Sequence, residues 1–390
     1  MRVWARQGEN QERMTETQSS SQSSPPKWTI QAGSCFVLFA YDAARSIKLE
    51  EAERRLHEAT QRQTIPHKRR APSYFEYQAP PLRISQDIGP LNIGVLSARA
   101  SVDILTYDFG AVAVTYTLGL AGPFSDLLRL AEELYDNEFL LSDSRLRVEQ
   151  LLKVIGDAAT QARLAPVVED YLVFHIESFT QPFDAARFCG DNGRQIAQIL
   201  RAERQVLSDQ EVDDALAARI SFGTEDLTVV DWNAALLIDK EGEDVRAVLD
   251  FANVELLEMR HLDQRLDRAL DQAYDALSQS LNLPGILGSY GTALRRVGEL
   301  QIDNALLFEN VNNTLKLLGD QYLARVYRLV NRRFHLDEWD SSILRKLETL
   351  ESIYEKISDQ ATNRRMEILE WVIIILIAVS IGLELLHRVP

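Results

Sequence analysis

The sequence predicts an α+β protein: an N-terminal head of mixed strands and helices, long helices forming a coiled-coil hairpin, and a C-terminal transmembrane helix. Three observations predict it. Apolar runs rich in β-branched and aromatic residues, Cys35–Tyr41, Val102–Tyr116 and Leu227–Ile238, occupy the earlier part of the chain. The later part repeats apolar residues at three- and four-residue spacing. The end carries an uncharged stretch from Trp371 to Leu383.

With 390 residues and 46% hydrophobic composition, the chain can build real cores, and disorder throughout is excluded. A net charge of −16 repels phosphates, which argues against broad binding to nucleic acid or anionic lipid. Membrane attachment would therefore be hydrophobic. Cys35 and Cys189 have no His or Cys at ligand spacing, so neither a zinc site nor a disulfide framework is signalled, and a reducing cytoplasm is the expected setting. No catalytic residue, metal ligand or cofactor is assigned.

Residues 1–27 are rich in Gln, Ser, Glu and Arg and end in a Ser/Pro run, a composition expected to form a disordered tail. Met14 also reads as a natural start. A head domain is expected over 28–244. It opens with the strand-like run Cys35–Tyr41 and an amphipathic helix over Leu49–Arg62. Lys68, Arg69 and Arg70, with Arg54, Arg55 and Arg62 nearby, form a basic cluster open to two readings, a solvated loop or an anion contact. Two strands should meet near Asp108-Phe109-Gly110, where an Asp two residues before a Gly is turn chemistry rather than a catalytic acid. Asp-Phe-Gly invites comparison with a kinase metal-binding motif, but no His-Arg-Asp or Gly-rich loop accompanies it.

Helical spacing resumes from Phe124 to about Leu134, and a strand is expected over Asp170–Ile176. Cys189-Gly-Asp-Asn-Gly193 reads as a turn, and residues 194–207 and 210–220 as helices. Leu227–Ile238 reads as one strand-rich run closed by the polar turn Asp239–Asp244. From Val245 to Leu277 apolar residues keep one helical face, and a loop follows at Pro284, making 245–298 a long helix and its connection.

Residues 299–365 are expected to form the hairpin stalk, with Ile343, Leu347, Leu350, Tyr354 and Ile357 as its coiled-coil seam. The second helix can run without Pro or Gly into the segment 366–388. There Trp371, Ile373, Ile374, Ile375, Leu376 and Ile377 are expected to form a membrane anchor, with Arg364, Arg365 and Arg388 at its boundaries. The uncharged core measures only about 20 Å as a helix, and reaching about 28 Å requires including Glu370 and Glu384. These two glutamates stand about four helical turns apart on one side, which suggests an assembly face. The competing reading is a buried helix of a soluble core.

Tyr107-Asp108-Phe109-Gly110, the helical C-terminal half and Leu369-Glu370-Trp371 followed by isoleucines together resemble the "required for meiotic nuclear division" family. That resemblance implies a membrane-associated, oligomeric protein without assigned catalytic residues; a mitochondrial member supports organellar translation. The resemblance does not extend to the segment 228–280. The expected function is a non-enzymatic membrane-anchored scaffold that self-assembles through its C-terminal helices, placed in the cytoplasm or single-pass in an inner membrane. Its expected partners are a membrane, further copies of itself and an unidentified protein. The alternative is a tether contacting RNA or the translation machinery through Lys68, Arg69 and Arg70.

Overall fold

The computed structural model describes residues 28–61, 81–93, 96–282, 298, 302 and 321–387. Its organising element is β1 (Thr29–Asp42), which alternates large apolar residues on both faces: Cys35, Val37, Phe39 and Tyr41 enter one core, Leu38 and Ala40 the other. A strand apolar on both faces belongs at the centre of a sheet covered on both sides. β1 accordingly pairs antiparallel with β5 (Ala111–Pro123) and with β7 (Val168–Phe179).

The other elements follow from this strand. β2 (Ser46–Ile47) pairs with β6 (Ala159–Thr160) in a small sheet, and α1 (Leu49–Gln61) lies between them in sequence. β3 (Leu82–Ile93) and β4 (Leu96–Thr106) extend the main sheet from β5, while β8 (Arg219–Ile220), β9 (Leu227–Val230) and β10 (Ala234–Ile238) extend it from β7. The eight-stranded order is β3-β4-β5-β1-β7-β10-β9-β8, antiparallel throughout except between β7 and β10. One face carries α2 (Asp126–Leu134), α3 (Glu138–Ile155) and α4 (Ala185–Leu200), with α5 (Asp209–Ala215) packed on α4. The other carries α6 (Glu243–Asn282), α7 (Gln321–Phe334) and the first part of α8 (Leu336–His387).

The turn at Tyr107–Gly110 joins β4 to β5. Gly110 has φ +107°, and a Cβ there would run into the carbonyl oxygen of Ala44. Its own carbonyl accepts from the amides of Ala43 and Ala44, both at 3.2 Å, so the motif fastens the end of β1. Two expectations fail locally. Cys189–Gly193 lies inside α4, because Phe188, Ile196, Ile199 and Leu200 are buried along one helical face and Asp184 caps the start by accepting from the Arg187 amide at 2.8 Å. Burial outweighs two glycines. Leu227–Ile238 is a hairpin rather than one strand, since Asp231-Trp232-Asn233 supplies its turn.

The larger correction concerns the C-terminal part. The fold is mixed α+β around the large sheet, and among the described residues no helix is long and apolar enough to cross a membrane. The physical reason is length: Glu370 and Glu384 bracket an uncharged run of about 20 Å, against a hydrocarbon layer of about 30 Å. The transmembrane helix, the single-pass anchor at Trp371 and Ile373–Ile377, its boundary at Arg364, Arg365 and Arg388, and the inner-membrane placement are therefore overturned. The hairpin also differs. His335, at φ +53°, separates α7 from α8, and the seam of α8 packs chiefly on α6. Lys346 bridges Asp263 and Asp267 at 2.7 and 2.6 Å, while Asp337 and Asp340 lie near Glu255. Both helices therefore advance in the same direction.

Candidate assembly site

The paired helices α6 and α8 leave the head as an arm. On α8, Ile343, Leu347, Leu350, Tyr354 and Ile357 are buried with Leu262, Leu266, Ala269 and Ala273 of α6. This is the spacing of a coiled-coil seam. Tyr327 of α7 donates to Glu255 of α6 at 2.7 Å. Burial pushes the Glu255 carboxyl up to about 8, outweighing the Tyr327 hydrogen bond, and Asp337 and Asp340 raise it further.

A charged clasp fixes the base of the arm. Asp231, in the β9–β10 turn, is 1% exposed and accepts from Arg201 Nε and Arg333 Nε, each at 3.0 Å. Asp214 bridges the same arginines at 2.6 and 2.9 Å, and Arg333 holds its carboxyl below the usual range. Trp232 stacks on His335 with centroids 5.0 Å apart, and Tyr171 donates to the Asp231 carbonyl at 2.9 Å. Head, α7 and the start of α8 thus meet at one buried carboxylate. Nothing in the sequence singled out Asp231. The available signal was a polar tripeptide inside an otherwise apolar run.

The apolar face of α6 against the sheet also carries charged groups. Arg246 lies 4.5 Å over the Phe36 ring and bonds Asp250 at 2.6 Å; nearby, Arg83 pairs with Asp103 at 2.5 Å. Further along, Arg260 reaches Glu169 and His261 approaches Asp42 at 2.8 Å. Arg260 is half-exposed while Glu169 is buried, so desolvation wins and pushes the Glu169 carboxyl up to about 7. Such pairs add little net stability but fix the position of the helix.

α6 ends at Asn282, and with Asp267 level with Lys346, α8 outruns it by about 40 Å. On this extension Leu369, Trp371, Val372, Ile373, Ile374, Ile375, Leu376, Ile377 and Val379 are 46–65% exposed. These residues point to every side of the helix, which therefore has no polar face. Glu370 is exposed at its start. The side chains of Arg364, Arg365 and Glu384 lie outside the described residues, as do Lys68, Arg69, Arg70 and Arg388. An open groove of about 640 Å³ elsewhere on the head is lined by Asp184, Cys189, Arg219 and Thr224. Burial raises the Cys189 thiol despite Arg219, so it is not an activated nucleophile.

A family model described as "Uncharacterized protein MJ0711, N-terminal domain" matches residues 32–244. The chain is similar to the uncharacterized protein MJ0711 of Methanocaldococcus jannaschii, 23% identical over 221 residues. That alignment covers 56% of this chain and 66% of the relative, so under two thirds of the relative is represented. No solved structure matches the chain. Neither finding indicates the meiotic nuclear division family, which corrects the expected resemblance together with its mitochondrial and translational implications. The two motifs behind it are short and physically generic, a tight turn at Gly110 and an apolar helical run after Trp371.

Proposed function

The chain belongs to the MJ0711 N-terminal domain family through residues 32–244, and from that premise we propose that it is a non-enzymatic scaffold that self-assembles through the end of its helical arm. The family description names no activity, so the reading is built on this chain's own surfaces. The observation that carries it is the extension of α8, apolar on all sides and exposed from Leu369 to Val379. Its exposed side chains present on the order of 900 Å² of apolar surface, close to the roughly 800 Å² per partner of a stable interface. A segment without a polar face is best covered by several helices, and further copies of the same helix supply them with no new chemistry. The extension also continues a helix already paired through a buried seam, so a bundle of copies prolongs packing the chain makes internally.

Sedimentation of the full-length chain tests this against a variant carrying Ile373→Ser, Ile375→Ser, Leu376→Ser and Ile377→Ser. The expected result is an oligomer for the wild type and a folded monomer for the variant. A wild-type chain that stays monomeric at micromolar concentration, or a variant that assembles equally well, overturns the proposal.

A further inference from the structure

α7 reads Gln321-Tyr-Leu-Ala-Arg-Val-Tyr-Arg-Leu-Val-Asn-Arg-Arg-Phe334 and contains no acidic residue, in a chain of net charge −16. Its buried face is Leu323, Val326, Tyr327, Val330 and Phe334. Directly opposite stand Arg325, Arg328 and Arg332, all exposed and spaced by three and four, so the three guanidiniums line one stripe about 10 Å long. Among the described residues none of the three is in an ion pair. The Nε groups of Arg328 and Arg332 donate only to backbone carbonyls one turn back, those of Ala324 and Arg328. Arg333, by contrast, points inward and is consumed by the clasp at Asp231 and Asp214.

Like charges at this spacing repel one another along a helix, so the stripe is unfavourable unless an opposite charge meets it. The complement lies on the same molecule. On α8, Glu348, Glu355 and Asp359 are exposed, fall on one side of the helix turned away from the buried seam, and form no ion pair among the described residues. They span about 16 Å. Within one chain the two stripes do not meet.

We propose that the arginine stripe of α7 docks against the Glu348/Glu355/Asp359 stripe of α8 in a second copy of this chain. The inference rests on the assembly reading above and adds to it a charged contact away from the apolar end. Arginine suits this position because its guanidinium forms directed pairs with carboxylates and is less strongly hydrated than an ammonium. Nucleic acid is the other polyanion such a stripe could meet. The net charge of −16 opposes it at long range, whereas the acidic stripe is present at equal concentration in every copy.

The experiment compares four full-length proteins by sedimentation at low and high salt: wild type; Arg325→Glu with Arg328→Glu and Arg332→Glu; Glu348→Lys with Glu355→Lys and Asp359→Lys; and all six changes together. Each triple variant should weaken self-association about tenfold or more, wild-type association should fall with salt, and the sixfold variant should recover to near wild type. Failure of the sixfold variant to recover while each triple remains folded overturns the docking. So does assembly unaffected by both triples, or an arginine triple that changes only the binding of an RNA oligonucleotide. If a triple loses its fold by circular dichroism, the salt dependence of the wild type decides, and salt-insensitive assembly rejects the contact. If the serine variant at Ile373–Ile377 abolishes assembly while both triples retain it, the scaffold reading stands and this contact falls. A monomeric wild type removes both.

Discussion

Along α8 the residues Ile343, Leu347, Leu350, Tyr354 and Ile357 are buried, while Leu369, Trp371 and Ile373–Ile377 on the same helix stand in the open. The two regions are equally capable of burial, and the exposed one is the more apolar of the two. The difference is supplied by a neighbour: α6 runs beside the first region and ends before the second. Apolar pattern creates a demand for contact, and tertiary structure decides whether the chain meets that demand itself or leaves it to another molecule. The clasp at Asp231 and the charged pairs under α6 then fix how the first region sits on the head.

The comparison can be broken most severely at its base. Asp231→Ala leaves Arg201 and Arg333 facing one another without their shared buried carboxylate, and should cost about 3–5 kcal/mol of stability in urea unfolding. A loss below about 1 kcal/mol would mean that the clasp does not hold arm to head. Next, the two regions of α8 should respond oppositely to the same kind of truncation. Leu350→Ala should destabilise the monomer by about 2–5 kcal/mol, whereas Leu376→Ala should stay within about 0.5 kcal/mol under conditions where the chain is monomeric. Equal effects would show that the terminal segment is covered within the chain.

The probe that needs no substitution is pH. Glu169 and Glu255 both have carboxyls raised from 4.5, to about 7 and about 8 respectively. A raised carboxyl favours the protonated folded state, so this contribution is fully present below about pH 4.5. It is lost as pH rises through 7 for Glu169 and through 8 for Glu255. Glu169 should be worth on the order of 3 kcal/mol and Glu255 on the order of 5 kcal/mol across its window, read as a fall in unfolding free energy between pH 5 and about pH 9. Glu255→Gln should flatten the upper part of that fall. An unchanged slope would show that Glu255 is solvated in the arm.

Local features were legible wherever a residue's own neighbours in sequence decide its environment. The apolar, aromatic-rich composition of Cys35–Tyr41 announces a strand, and the spacing from Val245 to Leu277 announces α6, which extends over Glu243–Asn282. Gly110 marks its turn because a side chain there is sterically excluded. Cys189–Gly193 was misread because its glycines argue for a turn, while the buried residues that keep it helical lie outside the motif. Asp231 was invisible because its partners Arg201 and Arg333 are remote in sequence.

By itself the sequence determined the apolar strand composition of β1, the apolar spacing of the long helices, including that from Ile343 to Ile357, and the acidic balance, since these follow from residue type and period. Only the tertiary structure decided that the apolar face from Ile343 to Ile357 packs on α6 in the same direction, that one carboxylate is buried between two arginines, and that the terminal run of α8 is uncovered. The physical reason is that periodicity specifies which face of an element is apolar. What covers that face depends on contacts between residues far apart along the chain, and these form only when the chain has folded.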